Sequence, residues 1–209
     1  MFTVCLEKRI FIVGICVAAS SVASAAIVID QNPGNFPGDN NILFNNGSLI
    51  ADGNLVQGMT QAGLVLDFFN AGESLHINGG QARVEATDTI GFQALTYQLD
   101  DSGAAFKTYI TNLNSLNQGT NVTWYGTPFA GSEVNLGSFV LGSGQNFFRF
   151  STDDNSWIQT LRFTADADVQ DSRQNRIGGE AFVNSPEPGT LIALGIGAAA
   201  LLKRRRPTR

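Results

Sequence analysis

Few residues of this 209-residue chain have the side-chain chemistry of a catalytic nucleophile or base. His76 is the only histidine, and it follows Leu75 and precedes Ile77 in a short apolar pattern typical of a strand. No G-x-S-x-G elbow and no H-E-x-x-H metal pair occurs. A glycosidase needs two carboxyl groups about 5 to 9 Å apart, and the acidic residues show no spacing that singles out such a pair. We therefore predict no catalytic residue and interpret His76 as a strand or surface residue.

Two groups of oxygen-bearing side chains could instead hold a metal ion. Asp30, Asn32, Asp39 and Asn40 lie near the start of the central region, and the second group lies near its end. The second group consists of Asp166, Asp168 and Asp171. Ca²⁺ takes about six to eight oxygen ligands, and the first and last strands of a β-sandwich often run side by side. A calcium site is thus a weaker alternative to solvated loops, since the spacing matches no EF-hand or repeat motif.

The two tryptophans are the other candidates for ligand contact. Trp124 is followed by Tyr125, and Trp157 stands beside a turn rich in Asp and Asn. An indole face can stack on a sugar ring, so a carbohydrate-binding module that uses Trp124 or Trp157 is the main alternative function. Packing in the core is the default role of both residues, because tryptophan is highly buried on average.

The charge of the central region restricts its partners. Residues 26–184 contain sixteen acidic and six basic residues, a net charge of −10. Such a surface repels phosphate backbones, so we predict no nucleic-acid partner. The whole-chain value of −5 is less negative because seven of the thirteen basic residues lie in the two terminal segments.

The first 25 residues have the pattern of a secretory signal peptide. Lys8 and Arg9 precede ten apolar residues at 10–19, which are too few to span a bilayer core of about 30 Å. The A-x-A cleavage pattern follows, with the predicted signal peptidase site at Ala23, Ala25 and Ala26. Cys5 and Cys16 both lie in this removable segment. The exported chain would therefore contain neither a disulfide nor a catalytic thiol, and its core must be stable without cross-links.

Residues 26–184 have the pattern of an all-β domain. Short segments rich in Val, Ile, Phe, Thr and Tyr alternate with Gly, Asn and Asp clusters. Alternation is clearest in Phe92 to Leu99, where Leu95, Tyr97 and Leu99 share one face, and in Ile158 to Ala165, where Leu161 and Phe163 face inward. Other predicted strands include Ile42 to Asn45, Ala105 to Ile110 and Arg176 to Val183. These features predict a single antiparallel β-sandwich, jelly-roll-like or immunoglobulin-like.

Residues 185–209 join three kinds of sequence. The first is Pro186, Glu187, Pro188 and Gly189, where the prolines favour an extended backbone and prevent pairing in a sheet. An apolar run at 191–202 follows, and a Lys and Arg cluster at 203–206 comes after it. A helix of 13 residues over 190–202 would be roughly 20 Å long, short for a membrane span. Basic residues at its end predict a cytoplasmic C-terminus, which leaves residues 26–184 across the membrane.

This arrangement resembles the PEP-CTERM sorting domain, which occurs on exported proteins of Gram-negative bacteria that make extracellular polysaccharide. The resemblance implies recognition by an exosortase-like membrane protease, after export through the Sec translocon and cleavage by signal peptidase. It also implies a transient anchor in the inner membrane, followed by release to the cell surface or outside. We predict a non-enzymatic surface or matrix protein without a cofactor, associated with extracellular polysaccharide or biofilm. An exported hydrolase that uses scattered carboxylates is the least favoured alternative.

Overall fold

In a computed structural model, the described residues are 26–34, 39–45, 49–78, 83–153 and 156–183. These ranges contain sixteen strands and no helix. The strands are β1 (Val28–Gln31), β2 (Asn40–Asn41), β3 (Asp52–Gly53), β4 (Leu55–Met59), β5 (Val65–Phe69), β6 (Leu75–Asn78), β7 (Arg83–Ala86), β8 (Phe92–Leu99), β9 (Ala104–Ala105), β10 (Thr108–Ser115), β11 (Asn121–Pro128), β12 (Val134–Val140), β13 (Gly144–Ser151), β14 (Ile158–Val169), β15 (Asp171–Gly178) and β16 (Ala181–Phe182).

The strands form antiparallel sheets. One has eight strands, in the order β1-β13-β10-β15-β7-β6-β3 with β2 paired beside β15. The other large sheet has the order β12-β11-β14-β8-β5-β4, and β9 with β16 forms a two-stranded sheet. The prediction of an all-β fold with antiparallel sheets is therefore confirmed. The choice between a jelly-roll-like and an immunoglobulin-like sandwich stays a prediction.

The inner faces of the two large sheets supply one hydrophobic core. Alternation explains which residues enter it: β11 alternates buried and accessible positions along its whole length. Leu95, Tyr97 and Leu99 of β8 are buried, as predicted, and so are Leu161 and Phe163 of β14. Tyr97 also bridges the sheets, because its hydroxyl donates to Ser172 Oγ of β15 at 3.2 Å. The sequence pattern thus predicted the buried faces of these strands correctly.

Several predicted strand boundaries are wrong, and each error has a local cause. The run Ala105 to Ile110 serves two sheets: β9 pairs with β16, and β10 begins at Thr108 in the large sheet. Arg176 to Val183 is likewise divided, because Gly179 takes a φ of +64° between β15 and β16. The strand predicted at Ile42 to Asn45 contains β pairing only as a single bridge between Leu43 and Met59.

Strand β4 was missed because it contains Gly58, a residue that is depleted in strands. The structure explains this glycine. A Cβ atom at position 58 would collide with the side chain of Ile42 and would lie 3.0 Å from the Phe44 ring. The close approach of these two side chains to the β4 backbone therefore requires a residue without a side chain.

Part of the predicted architecture lies outside the described residues. This applies to the signal peptide at 1–25, to its cleavage site except Ala26, and to the sorting segment at 185–209 with its hydrophobic helix. Within the ranges that the structure describes, no helix is long and apolar enough to cross a membrane.

Candidate functional site

Trp124 lies in the middle of the core, where no ligand can reach it. It is 0% exposed, and its ring centroid lies 4.6 Å from that of Phe150, 5.1 Å from Phe163 and 5.4 Å from Phe148. These rings come from both large sheets, so Trp124 connects them. The structure thus shows the core role that was the default for Trp124, because the alternation of β11 turns this side chain inward. The alternative, stacking of Trp124 on a sugar, does not fit this position.

Trp157 is in a different environment. It is partly exposed, at the end of the loop before β14, and its carbonyl accepts a hydrogen bond from the Phe129 amide at 2.9 Å. The ammonium of Lys107 lies 4.9 Å from the centroid of its ring, a cation–π arrangement that occupies one ring face. The stacking prediction for Trp157 stays open, with the ring already oriented by a cation.

The outer face of the six-stranded sheet carries an aromatic group that the sequence analysis did not select. Tyr125 of β11 projects opposite to Trp124, and the Arg162 guanidinium lies 4.1 Å from the centroid of its ring. Arg162 is fixed in turn by Glu133, since its Nη2 and Nε donate to the two carboxylate oxygens at 2.8 and 3.1 Å. These hydrogen bonds lower the pKa of the Glu133 carboxyl and raise that of Arg162. Together they hold a cation–π pair on the outer face of the sheet.

A row of side chains continues from this pair across the sheet. Register pairing places Asn135, Tyr125, Arg162, Thr96 and Phe69 side by side on five neighbouring strands. Phe69 is 42% exposed. The row therefore presents two aromatic rings, Tyr125 and Phe69. The other three residues of the row carry hydrogen-bonding groups. The sequence contained the signal, because alternation in β14 already placed Arg162 outward, opposite to Leu161 and Phe163.

The two oxygen-rich groups, for which a calcium site was the weaker alternative to solvated loops, do not meet in the structure. Strand β1, which contains Asp30, is separated from β15 by β13 and β10. Asn40 of β2 does pair with β15, but at Ile177, the end of the strand opposite to Asp171. Asp166 accepts from the Asn121 amide at 2.8 Å, and Asp168 accepts from Gln93 Nε2 at 3.0 Å. In the described ranges, no group of three His, Cys, Asp or Glu residues could hold a metal ion.

Asp171, the third member of the second group, has a structural role. It is 0% exposed on the eight-stranded sheet, and its carboxylate accepts from both Nε and Nη2 of Arg173, the former at 2.6 Å. Arg83 Nη1 lies 3.8 Å from the same carboxylate. Asp171 thus compensates Arg173, two residues further along the same strand, and Arg83 of the neighbouring β7. The sequence analysis missed this role because the burial of Asp171 depends on the order of the strands.

Removing this carboxylate should destabilise the fold. We expect Asp171→Ala to lower the free energy of unfolding by about 3 kcal/mol, because breaking this buried ion pair leaves Arg173 without its carboxylate partner. Arg83 keeps its ion pair with Glu85 at 2.9 Å. Urea unfolding followed by tryptophan fluorescence measures the difference. Asp168→Ala is the matched control, since that side chain is partly exposed and has a single hydrogen bond. An equal, small effect of the two substitutions would contradict the structural role of Asp171.

His76 lies in β6, in agreement with its interpretation as a strand residue. Its Nδ1 is 2.5 Å from Asp52 Oδ1, and the two side chains are 44% and 67% exposed. Glu85 of β7 stands on the other side of His76 in the register of the sheet. The arrangement is an exposed His–Asp pair between neighbouring strands. In the part of the chain that the structure describes, no serine or threonine hydroxyl is hydrogen-bonded to the imidazole.

Comparison with known proteins bears on the C-terminal segment. Residues 186–206 match the family model described as the PEP-CTERM protein-sorting motif, which confirms the resemblance carried by Pro186, Glu187, Pro188 and Gly189. The match implies an exported protein that is anchored transiently at the membrane and processed by exosortase, a membrane protein. No curated protein and no solved structure matches the chain.

Proposed function

We propose that this protein is a non-enzymatic component of the cell surface or extracellular matrix, delivered there when exosortase processes its C-terminal tag. The observation that carries the proposal is the PEP-CTERM motif at 186–206 on a chain that begins with a signal-peptide pattern. Between the two lies an acidic all-β domain whose core joins both large sheets. Association with extracellular polysaccharide or biofilm is the role that we assign to this domain.

The mass of the mature protein tests the delivery. The full chain is expressed in its own host, and the intact mass is measured on protein from the membrane, from the cell surface and from the medium. We expect the surface or medium form to begin at Ala26 and to lack the apolar run at 191–202. A surface form that still carries this run and the basic residues behind it would contradict the proposal.

The non-enzymatic role has its own test. The mature protein purified from the host is incubated with panels of glycan and peptide substrates, and products are followed by mass spectrometry. We expect no turnover with any of them. Sustained turnover that His76→Ala, Asp52→Ala or Glu85→Gln abolishes would instead make the protein a secreted hydrolase.

A second candidate function, carbohydrate binding, is favoured by the row of side chains through Tyr125 and Arg162. Sugar rings stack on flat aromatic faces, and their hydroxyls pair with groups such as Thr96 and Asn135. Affinity electrophoresis in gels that contain the host's polysaccharide tests this candidate. We expect Tyr125→Ala to lose the retardation that wild type shows, and Ile90→Ala, on a loop outside the row, to keep it. Equal migration of wild type with and without polysaccharide would exclude the candidate.

A further inference from the structure

The first and last described residues lie at the same end of the eight-stranded sheet. Val28 of β1 pairs with Ser151, Ser151 pairs with Thr108, and Thr108 pairs with Gly178 at the end of β15. The chain then forms β16, which pairs with β9 just before Phe106 and Lys107. We call this end, formed by Val28, β9, β16, Lys107 and Trp157, the basal end. The chain leaves the described domain from it toward the sorting motif.

The chain is held at the basal end until shortly before the motif. In the β9–β16 ladder, Ala181 is opposite Ala105 and Phe182 is opposite Ala104. The Val183 amide then donates to the Gly103 carbonyl at 2.8 Å. Only Asn184 and Ser185 separate Val183 from Pro186. Three residue steps span at most about 11 Å, so Pro186, the first residue of the motif, cannot lie farther than this from Val183.

A protease that binds the motif must therefore come very close to the folded domain. A cleft that holds Pro186 to Gly189 has its rim within about 11 Å of Val183. We propose that the basal end is a docking surface for exosortase, which contacts it while the sorting motif occupies the active-site cleft. This inference rests on the proposed function, and it assigns to the domain a part in its own processing.

The chemistry of the basal end fits a protein partner located at the membrane surface. Phe182 is 60% exposed and Val28 is 58% exposed, so two large apolar side chains face solvent at this end. Beside them, Lys107 lies over the partly exposed ring of Trp157. Aromatic residues are enriched in protein interfaces, and tryptophan is also enriched at both membrane–water boundaries. In a domain of net charge −10, this end thus offers apolar and cationic contact groups.

Variants of the full chain test the docking surface in the native host. Trp157→Ala combined with Phe182→Ser removes two exposed aromatic contacts. Ile90→Ser combined with Leu116→Ser is the matched control, because these side chains are 64% and 61% exposed on loops away from the basal end. Pulse-chase labelling measures the rate at which the full-length chain becomes the processed form. We expect at least fivefold slower processing of the basal-end variant and a change below twofold for the control.

A spacer separates docking from other effects. Twelve Gly and Ser residues inserted between Val183 and Asn184 let the cleft bind the motif without contact to the domain. With this spacer, wild type and the basal-end variant should be processed at the same, slower rate. Faster processing of the spacer protein would show that the domain obstructs the enzyme and would overturn the proposal. So would a basal-end variant that, without the spacer, is processed at the wild-type rate.

A folding control and a variant of the motif prolines complete the test. Thermal unfolding of the purified variants shows whether they are folded, and Phe182→Ser alone, at a largely exposed position, serves as a second basal-end variant if the pair unfolds. The processing rate of the variant with Pro186→Ala and Pro188→Ala distinguishes this inference from the proposed function. If processing does not depend on these prolines, the sorting proposal itself fails. If it depends on them but not on the basal end, only the docking surface is refuted.

Discussion

The protein with Pro186→Ala and Pro188→Ala is expected to remain in the membrane as an uncleaved chain, with processing at least tenfold slower than in wild type. Both substitutions lie inside the matched segment 186–206. Proline fixes φ near −65° and restricts the residue before it to extended conformations. Replacing both prolines removes this preformed extended shape, and the free energy of ordering the segment in a protease cleft then increases.

Pulse-chase labelling followed by immunoprecipitation measures this effect, and cell fractionation shows where the uncleaved chain accumulates. Pro207→Ala is the matched control, because it replaces a proline immediately after the matched segment. We expect the control to be processed at the wild-type rate. Normal release of the double variant to the surface would show that the chain reaches its destination by another route.

The second large effect is expected in the core. Trp124→Ala should lower the free energy of unfolding by about 3 to 5 kcal/mol, the usual cost of replacing a fully buried aromatic side chain by alanine. The ring contacts Phe148 and Phe150 of one sheet and Phe163 of the other, so its loss leaves a cavity between the sheets. Because these contacts come from strands far apart in the chain, neighbouring side chains cannot close the cavity without moving a sheet.

Guanidinium unfolding measures this loss of free energy of unfolding. The protein is purified from its host, and unfolding is followed by far-UV circular dichroism. Trp157→Ala is the control, since that ring is partly exposed, and we expect it to cost about 1 kcal/mol or less. Trp124→Phe provides an intermediate test, because Trp124 Nε1 has no hydrogen-bond partner among the described residues and its loss breaks no hydrogen bond. Similar unfolding midpoints for the two alanine variants would contradict the assignment of Trp124 to the core.

The tag could be predicted directly because its properties are local. Pro186 and Pro188 restrict the backbone wherever they stand, the run at 191–202 is apolar by composition, and the basic cluster follows it in order. No contact with a distant segment is needed for a protease or a membrane to recognise these features. The same holds for the buried faces of β8 and β14, where alternation by itself separates the two sides of a strand.

Most errors concern features that depend on which strands are neighbours. The alternative of a calcium site finds no support because β13 and β10 stand between β1 and β15, and because β2 pairs with the end of β15 opposite to Asp171. No local pattern contains this strand order. Asp171 was grouped with loop carboxylates, but it is buried in β15 opposite Glu85 of β7, and Arg83 Nη1 lies 3.8 Å from its carboxylate. The stacked pair of Tyr125 and Arg162 was missed for the same reason, since the two residues are 37 positions apart in the chain and meet only through the register of β11 and β14.

The sequence by itself therefore determined that this chain carries an export pattern, a sorting tag and an all-β domain with alternating strands. The tertiary structure alone decided that Trp124 is fully buried while Trp157 is partly exposed, that Asp171 compensates arginines, and that Val183 is held two residues before the sorting motif. The physical reason is the distance along the chain over which each property acts. Composition, backbone restriction and alternation act within a few residues. Burial and ion pairing depend on strand order, which long-range packing selects.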